Sequence, residues 1–201
     1  MNNDFDRMVK TFCGTLLNRF PALNFPIPEK VMEDLSSFLQ DREIAPKTIL
    51  KPEGEIENTA RLILEGVGAV YTLGEEGDLQ LKRVFGAGDV LVDLYSYRAK
   101  EPTSKIIMAY SKLRVAELSR KSENRILTDF PIMNKFSTLV SDYLKYEDER
   151  WIELISEPHD DRLGAFITFY PGMCREMLRK DVCQLLRYKP TTLKKIRPDQ
   201  F

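Results

Sequence analysis

Histidine and cysteine are nearly missing from this chain. Its 201 residues include one histidine, His159, and three cysteines, Cys13, Cys174 and Cys183. An odd cysteine count without a CxxC pair indicates neither a disulfide framework nor a zinc site. His159 stands in the acidic run EPHDD at 157–161 and reads as a solvated loop residue, without partners for catalysis or metal binding. No nucleophile–base pair, P-loop, GxGxxG, HExxH or spaced carboxylate pair occurs. No catalytic residue, metal or cofactor is therefore expected, and an enzyme is the poorest of the function classes.

Long apolar runs are missing as well. The longest stretch without a charge, residues 163–174, is 12 residues long and contains glycine and proline. Spanning a bilayer takes about 18. The start MNNDFDRMVK has early acids and no basic-then-apolar signal pattern, so a cytoplasmic protein with no membrane partner is expected. Glycine and proline, 10 and 11 residues, are too few and too aperiodic for a collagenous or low-complexity chain. What is present suits a packed core: 43% hydrophobic residues against 30% charged. The length corresponds to about 1.3 domains of ordinary size.

Three textures follow one another. Residues 5–19 carry Phe5, Met8, Val9, Phe12, Leu16 and Leu17 at helical spacing. Prolines at 21, 26 and 28 break that pattern, and a short helix over about 28–40 follows, with Val31, Leu35, Phe38 and Leu39 on its apolar face. From Ile44 to about Leu118 come short apolar runs at 48–50, 61–64, 67–73, 79–85, 90–91, 105–110 and 113–118. Seven strands at this spacing read as an antiparallel roll or barrel. From about 131 to 157 the period is helical again, through Phe136, Val140, Tyr143, Leu144, Trp151, Leu154 and Ile155. A helix of roughly 40 Å exceeds what a small roll covers, so part of its stripe is expected to meet a second subunit or another domain.

The C-terminal segment is basic. Residues 172–201 hold eight basic residues against three acidic ones, a net +5, whereas the whole chain is −1 and the first 171 residues are −6. An acidic body with a basic tail suggests that the tail meets a polyanion. Helices are expected over about 161–170, 179–186 and 190–197. The last two are separated by three residues, and Pro190 opens the second, as in a helix-turn-helix. Val182 and Leu186 would face Leu193 and Ile196, with small Cys183 at the crossing.

The order of roll, long helix and helix-turn-helix resembles the Crp/Fnr family of bacterial transcription regulators, from about Leu39 to Arg197. In the roll the likeness rests on the turns PEGE (52–55), ILEG (63–66), EEGD (75–78) and GAGD (86–89). In the tail it rests on DVCQLLRYKPTTLKKIR at 181–197. It implies an α+β fold: N-terminal helices, an antiparallel jelly-roll-like β-roll, a long dimerisation helix and a C-terminal helix-turn-helix domain. The corresponding domains are 1–130 (cyclic-nucleotide-binding-like sensor), 131–158 (dimerisation helix) and 159–201 (DNA-binding domain). With four residues after Arg197, no wing is expected.

Departures from the family pattern bear on the ligand. Cyclic-AMP-binding members carry Gly-Glu and, further on, Arg-Ser or Arg-Thr, where this chain has Val92-Asp93 and Thr103-Ser104. Val92 fills space a backbone should leave bare. Asp93 is one methylene short. Thr103 lacks the guanidinium fork that a buried phosphate requires, and Lys105 offers charge without bidentate geometry. Val92, Asp93, Thr103, Ser104 and Lys105 therefore form the expected degenerate pocket. No cysteines of an iron–sulfur sensor are present. In the tail, Arg187 takes the place of the usual turn glycine.

The resemblance implies a homodimer that binds double-stranded DNA, does not respond to cyclic AMP and takes, if any, another small-molecule effector. On the last helix, Thr191, Thr192, Lys195 and Lys194 would face the major groove, while Lys189 and Arg197 would hold phosphates. The alternative is a small-molecule-binding or adaptor module whose helix-turn-helix no longer reads DNA, with a roll cavity lined by residues such as Leu64, Leu94, Tyr95 and Ile107.

Overall fold

Apolar residues on both sides of the same strand, as in TARLILE, require a sheet covered on two faces. The computed structural model, which describes residues 3–19 and 27–189, shows that arrangement twice. The strands are β1 (Gln40–Ile44), β2 (Ile49–Lys51), β3 (Thr59–Glu65), β4 (Gly68–Leu73), β5 (Leu79–Phe85), β6 (Val90–Leu91), β7 (Ile106–Ala109) and β8 (Leu113–Ser119). They form two four-stranded antiparallel sheets of order β1-β8-β3-β6 and β2-β7-β4-β5. Between the sheets lies a core of Ile44, Ile63, Val70, Phe85, Leu91, Ile107, Leu113 and Val115. The tight ILEG corner needs its glycine: Gly66 has φ +86°, and a Cβ there would sit 2.0 Å from the Lys112 carbonyl oxygen.

Helices cover the outer faces. The first sheet turns Leu62, Leu64, Val90 and Ala116 toward α1 (Asn3–Arg19), α2 (Glu29–Leu35), α4 (Arg120–Asp129) and the first half of α5 (Met133–Ser156). The second sheet turns Ala69, Leu81 and Val84 toward Trp151 and Leu154 of α5 and toward α6 (Arg162–Phe169), α7 (Met173–Glu176) and α8 (Arg179–Leu185). The apolar stripe of α5 thus has two burial sites along its length. Met133, Phe136, Leu139 and Tyr143 join the first outer core, and Trp151 and Leu154 the second. Trp151 packs edge-on against Phe166 and Tyr170, with ring centroids 6.5 and 6.1 Å away.

Four elements lie outside the expected set. β1 has one buried residue in five, Ile44, so its polar edge carries no alternating signal. A short helix, α3 (Leu94–Ala99), interrupts the crossover from β6 to β7, and α4 and the single-turn α7 were also not anticipated. The second helix is shorter than expected: α2 ends at Leu35 and passes into a 3-10 turn, Ser36–Phe38. The helix expected over 190–197 lies outside the described residues, with Thr191, Thr192, Leu193, Lys194, Lys195, Ile196 and Arg197.

Candidate functional site

A groove of about 770 Å³ opens between β4, β5, α3 and the middle of α5. A bulge shapes one wall. Val70 pairs with Arg83 and Tyr71 with Leu81, so Lys82 is an extra residue in β5. The bulge lets Leu81 and Val84 share the outer face while Lys82 and Arg83 line the groove. Arg98 from α3 and Lys105 from the approach to β7 complete four basic side chains there, against one acidic one, Asp148. Arg83 pairs with Asp148, and its buried Nε has no hydrogen-bond partner among the described residues. Lys82 donates to the Gln80 amide oxygen at 2.9 Å, and Arg98 to the Ser141 hydroxyl.

Of the residues expected to form a degenerate pocket, Val92 and Lys105 line this groove, and Asp93 is joined to Lys105 and Thr103 by hydrogen bonds. Asp93, 1% exposed, accepts from the Thr103 hydroxyl and from Lys105 Nζ at 3.2 Å. Lys51, 2% exposed, lies 3.7 Å from the same carboxylate and donates to Thr103 Oγ1 at 3.0 Å and to the Lys105 carbonyl at 2.8 Å. Burial opposes the charge on Asp93, but the Thr103 hydroxyl and the two lysines outweigh it and hold its pKa below the usual carboxylate value. The hydroxyl and ammonium donors here face a carboxylate of the chain itself. Val92 lines the groove wall, and Ser104 is exposed. Lys51 escaped the sequence reading because a lone lysine in a strand defaults to solvent.

A buried ion cluster lies next to the short helix α3, which side-chain hydrogen bonds hold in place. Arg61 joins Glu57 at 3.2 Å and Glu117 at 3.4 Å inside the roll. The Ser96 hydroxyl accepts from the Glu57 amide at 2.9 Å and donates to the Glu101 carbonyl at 2.6 Å. Tyr97 donates to Glu123 at 2.7 Å, whereas Tyr95 is exposed and donates to Glu101. The cavity sketched from Leu64, Leu94, Tyr95 and Ile107 is not formed. Leu64 belongs to the outer core and Ile107 to the inner one, on opposite faces of the first sheet's wall, while Leu94 and Tyr95 line the groove.

The C-terminal helices end in a defined turn. Arg187 adopts φ +59°, its amide donates to the Gln184 carbonyl at 3.1 Å, and the Tyr188 amide donates to the Cys183 carbonyl at 2.8 Å. That pair of bonds is a Schellman closure of α8 with arginine in the left-handed position. The Tyr188 hydroxyl accepts from the Leu163 amide at 3.0 Å, tying the turn to the start of α6. Lys189 follows the turn and is exposed, as are Arg175, Lys180 and Arg187. Val182 and Leu186 are fully buried in the outer core. His159 lies in an exposed loop beside Asp160, and the three cysteines are buried and free. Among the described residues no cluster of metal-ligating side chains occurs, and no helix is long and apolar enough to cross a membrane.

Comparison with known proteins places the architecture. No family model and no curated protein matches the sequence, so the likeness is one of fold. The c-di-GMP-responsive global regulator CLP of Xanthomonas campestris superposes with a TM-score of 0.58 at 13% identity, covering 83% of this chain and 88% of that one. FixK2 of Bradyrhizobium japonicum gives 0.58 at 17% identity, over 78% and 81%. A cyclic nucleotide-binding domain from Methylobacillus flagellatus gives 0.55 at 19% identity, over 73% and 81%. The fold is that of the cyclic-nucleotide-binding domain.

Proposed function

We propose that this chain is a DNA-binding transcription regulator of the Crp/Fnr type, acting as a homodimer in the cytoplasm and not responding to cyclic AMP. The observation that carries the reading is the closure of α8 by a left-handed turn at Arg187, leading directly into KPTTLKKIR. A helix, a tight turn and a basic helix-forming segment opened by proline are the parts a helix-turn-helix needs. In this reading Thr191, Thr192, Lys194 and Lys195 meet base edges, and Lys189 and Arg197 hold phosphates. The acidic remainder of the chain leaves the electrostatic work to the tail.

The groove serves as the effector site. Asp93 is neutralised by Lys51, Lys105 and Thr103, and no arginine occupies the Thr103 position. A cyclic phosphate would find its hydroxyl donor already engaged and a carboxylate beside it, which argues against cyclic AMP. Exposed Tyr146 and Ile152 on α5 leave apolar surface for a second copy.

Sedimentation is expected to give a particle of twice the 23.3 kDa chain mass, and a monomer at micromolar concentration contradicts the dimer. Titration with cyclic AMP is expected to show no binding in the micromolar range. Retention of duplex DNA is expected to fall with salt, and Lys189→Ala to reduce the log–log slope by about 0.9.

A further inference from the structure

Behind the groove lies an apolar cavity of about 140 Å³, between the outer face of the first sheet and the helices α1, α4 and α5. Phe12, Cys13, Ala116, Ile126 and Phe136 are among its walls. A space of this kind does not hold water well; an engineered apolar cavity of about 150 Å³ in another protein stays dry and takes a six-carbon ring.

Cavity and groove adjoin along a shared partition. Val90, Val92, Leu94, Arg98 and Leu144 line both. The polar side chains of the cavity include Glu123, Ser137, Ser141 and Arg98. Glu123 already accepts from Tyr97 at 2.7 Å and from Ser137 at 3.4 Å, and Ser141 accepts from Arg98. Among the groove cations, Arg83 has Asp148 and Lys105 has Asp93, whereas Arg98 and Lys82 form no ion pair among the described residues. Arg98 is exposed and stands on the partition itself.

We propose that groove and cavity form one bipartite site for an amphipathic monocarboxylate, with its head on Arg98 in the groove and a tail of about six carbons in the cavity. The proposal rests on the reading of the groove as the effector site and names the ligand class. Head and tail are each demanded by a separate observation. The basic excess of the groove selects an anion, and the apolar cavity beyond the partition selects a hydrocarbon. Leu144 belongs to α5 and lines both compartments, so an occupant would contact the helix that leads to the C-terminal module.

The test is calorimetric titration of the full chain with straight-chain carboxylates from butanoate to decanoate, and with the alcohols of the same lengths. Affinity is expected to rise about fourfold per added methylene and to level off once the cavity is full, with each alcohol at least tenfold weaker. Ala116→Leu, which fills the cavity from β8, is expected to flatten the length dependence while raising the melting temperature. Ser137→Leu is the substitute if that variant does not fold. Arg98→Gln is expected to abolish the preference for carboxylate over alcohol, and Arg98→Lys to retain part of it. No binding, an affinity independent of chain length, or an unchanged length dependence in the filled variants overturns the proposal. Any of these results beside intact sequence-selective DNA binding leaves the regulator reading standing.

Discussion

The Tyr110 hydroxyl donates to Asp181 Oδ2 at 2.7 Å and accepts from the Leu178 amide at 2.8 Å, clasping the start of α8 to the end of β7. Burial and the Asp181 carboxylate both raise the phenol's pKa, so it remains a neutral donor. Together with the shared apolar core, this clasp couples the C-terminal module to the roll.

Tyr110→Phe is expected to remove both bonds and cost about 1–3 kcal/mol, at 0.5–1.5 kcal/mol for each. If the C-terminal helices open as a unit, amide exchange in α8 should accelerate by about fivefold or more while β3 and β8 keep their protection. Equal acceleration in the strands would mean that the module and the roll unfold together.

The Asp93–Lys51 pair is fully buried, so breaking it leaves an uncompensated charge. Asp93→Asn is expected to cost about 3–5 kcal/mol, and combining it with Lys51→Met to recover most of that. Because the folded pKa of Asp93 is held below the ordinary 3.8, its stabilisation is present above that value and is lost as pH falls through the folded pKa. The difference between parent and Asp93→Asn should therefore shrink below about pH 4. Urea midpoints at pH 7 and pH 3 measure both effects.

Asp89 behaves in the opposite sense. It sits where the roll, α5 and Tyr170 meet; its Oδ2 accepts from the Gly86 amide at 2.8 Å, and the Tyr143 hydroxyl lies 3.5 Å from Oδ1. Burial pushes its pKa up to about 6, and nearby Glu147 adds to the rise, while the Gly86 amide and Arg83 pull it down. The folded protein thus binds a proton more tightly than the unfolded chain, and this group costs stability as pH rises from about 4 to about 7. Asp89→Asn, which keeps the acceptor for Gly86, is expected to match the parent near pH 4 and exceed it by about 3 kcal/mol at pH 8. A constant difference across that range would contradict the assignment.

Much of the roll was legible because its strands alternate between two buried layers. β5 and β6 fall at the expected bounds, 79–85 and 90–91. β1 was not legible, since its pairing with β8 depends on a distant partner and four of its five residues are exposed. α3 owes its place to Ser96 and Tyr97, whose partners lie 39 and 26 residues away. Asp93, Thr103 and Lys105, grouped from the sequence, are bonded to one another, but Lys51, which completes their charge balance, carries no local signal. The Lys82 bulge is equally silent in sequence. Arg187, in the place of the usual turn glycine, is left-handed at φ +59°. Of the two expectations for the α5 stripe, a second subunit or another domain, Trp151 and Leu154 follow the second: they are buried against the chain's own C-terminal helices.

Selection from a random duplex library at moderate salt tests the regulator reading most directly. A dimer presenting two copies of the 190–197 segment about 34 Å apart should enrich an inverted repeat with half-sites one helical turn apart. Lys195→Ala or Thr192→Ala should then relax preference at particular bases, at about 1–3 kcal/mol per good contact. If no inverted repeat is enriched and Lys195→Ala binds DNA as the parent does, the chain does not read DNA through this tail.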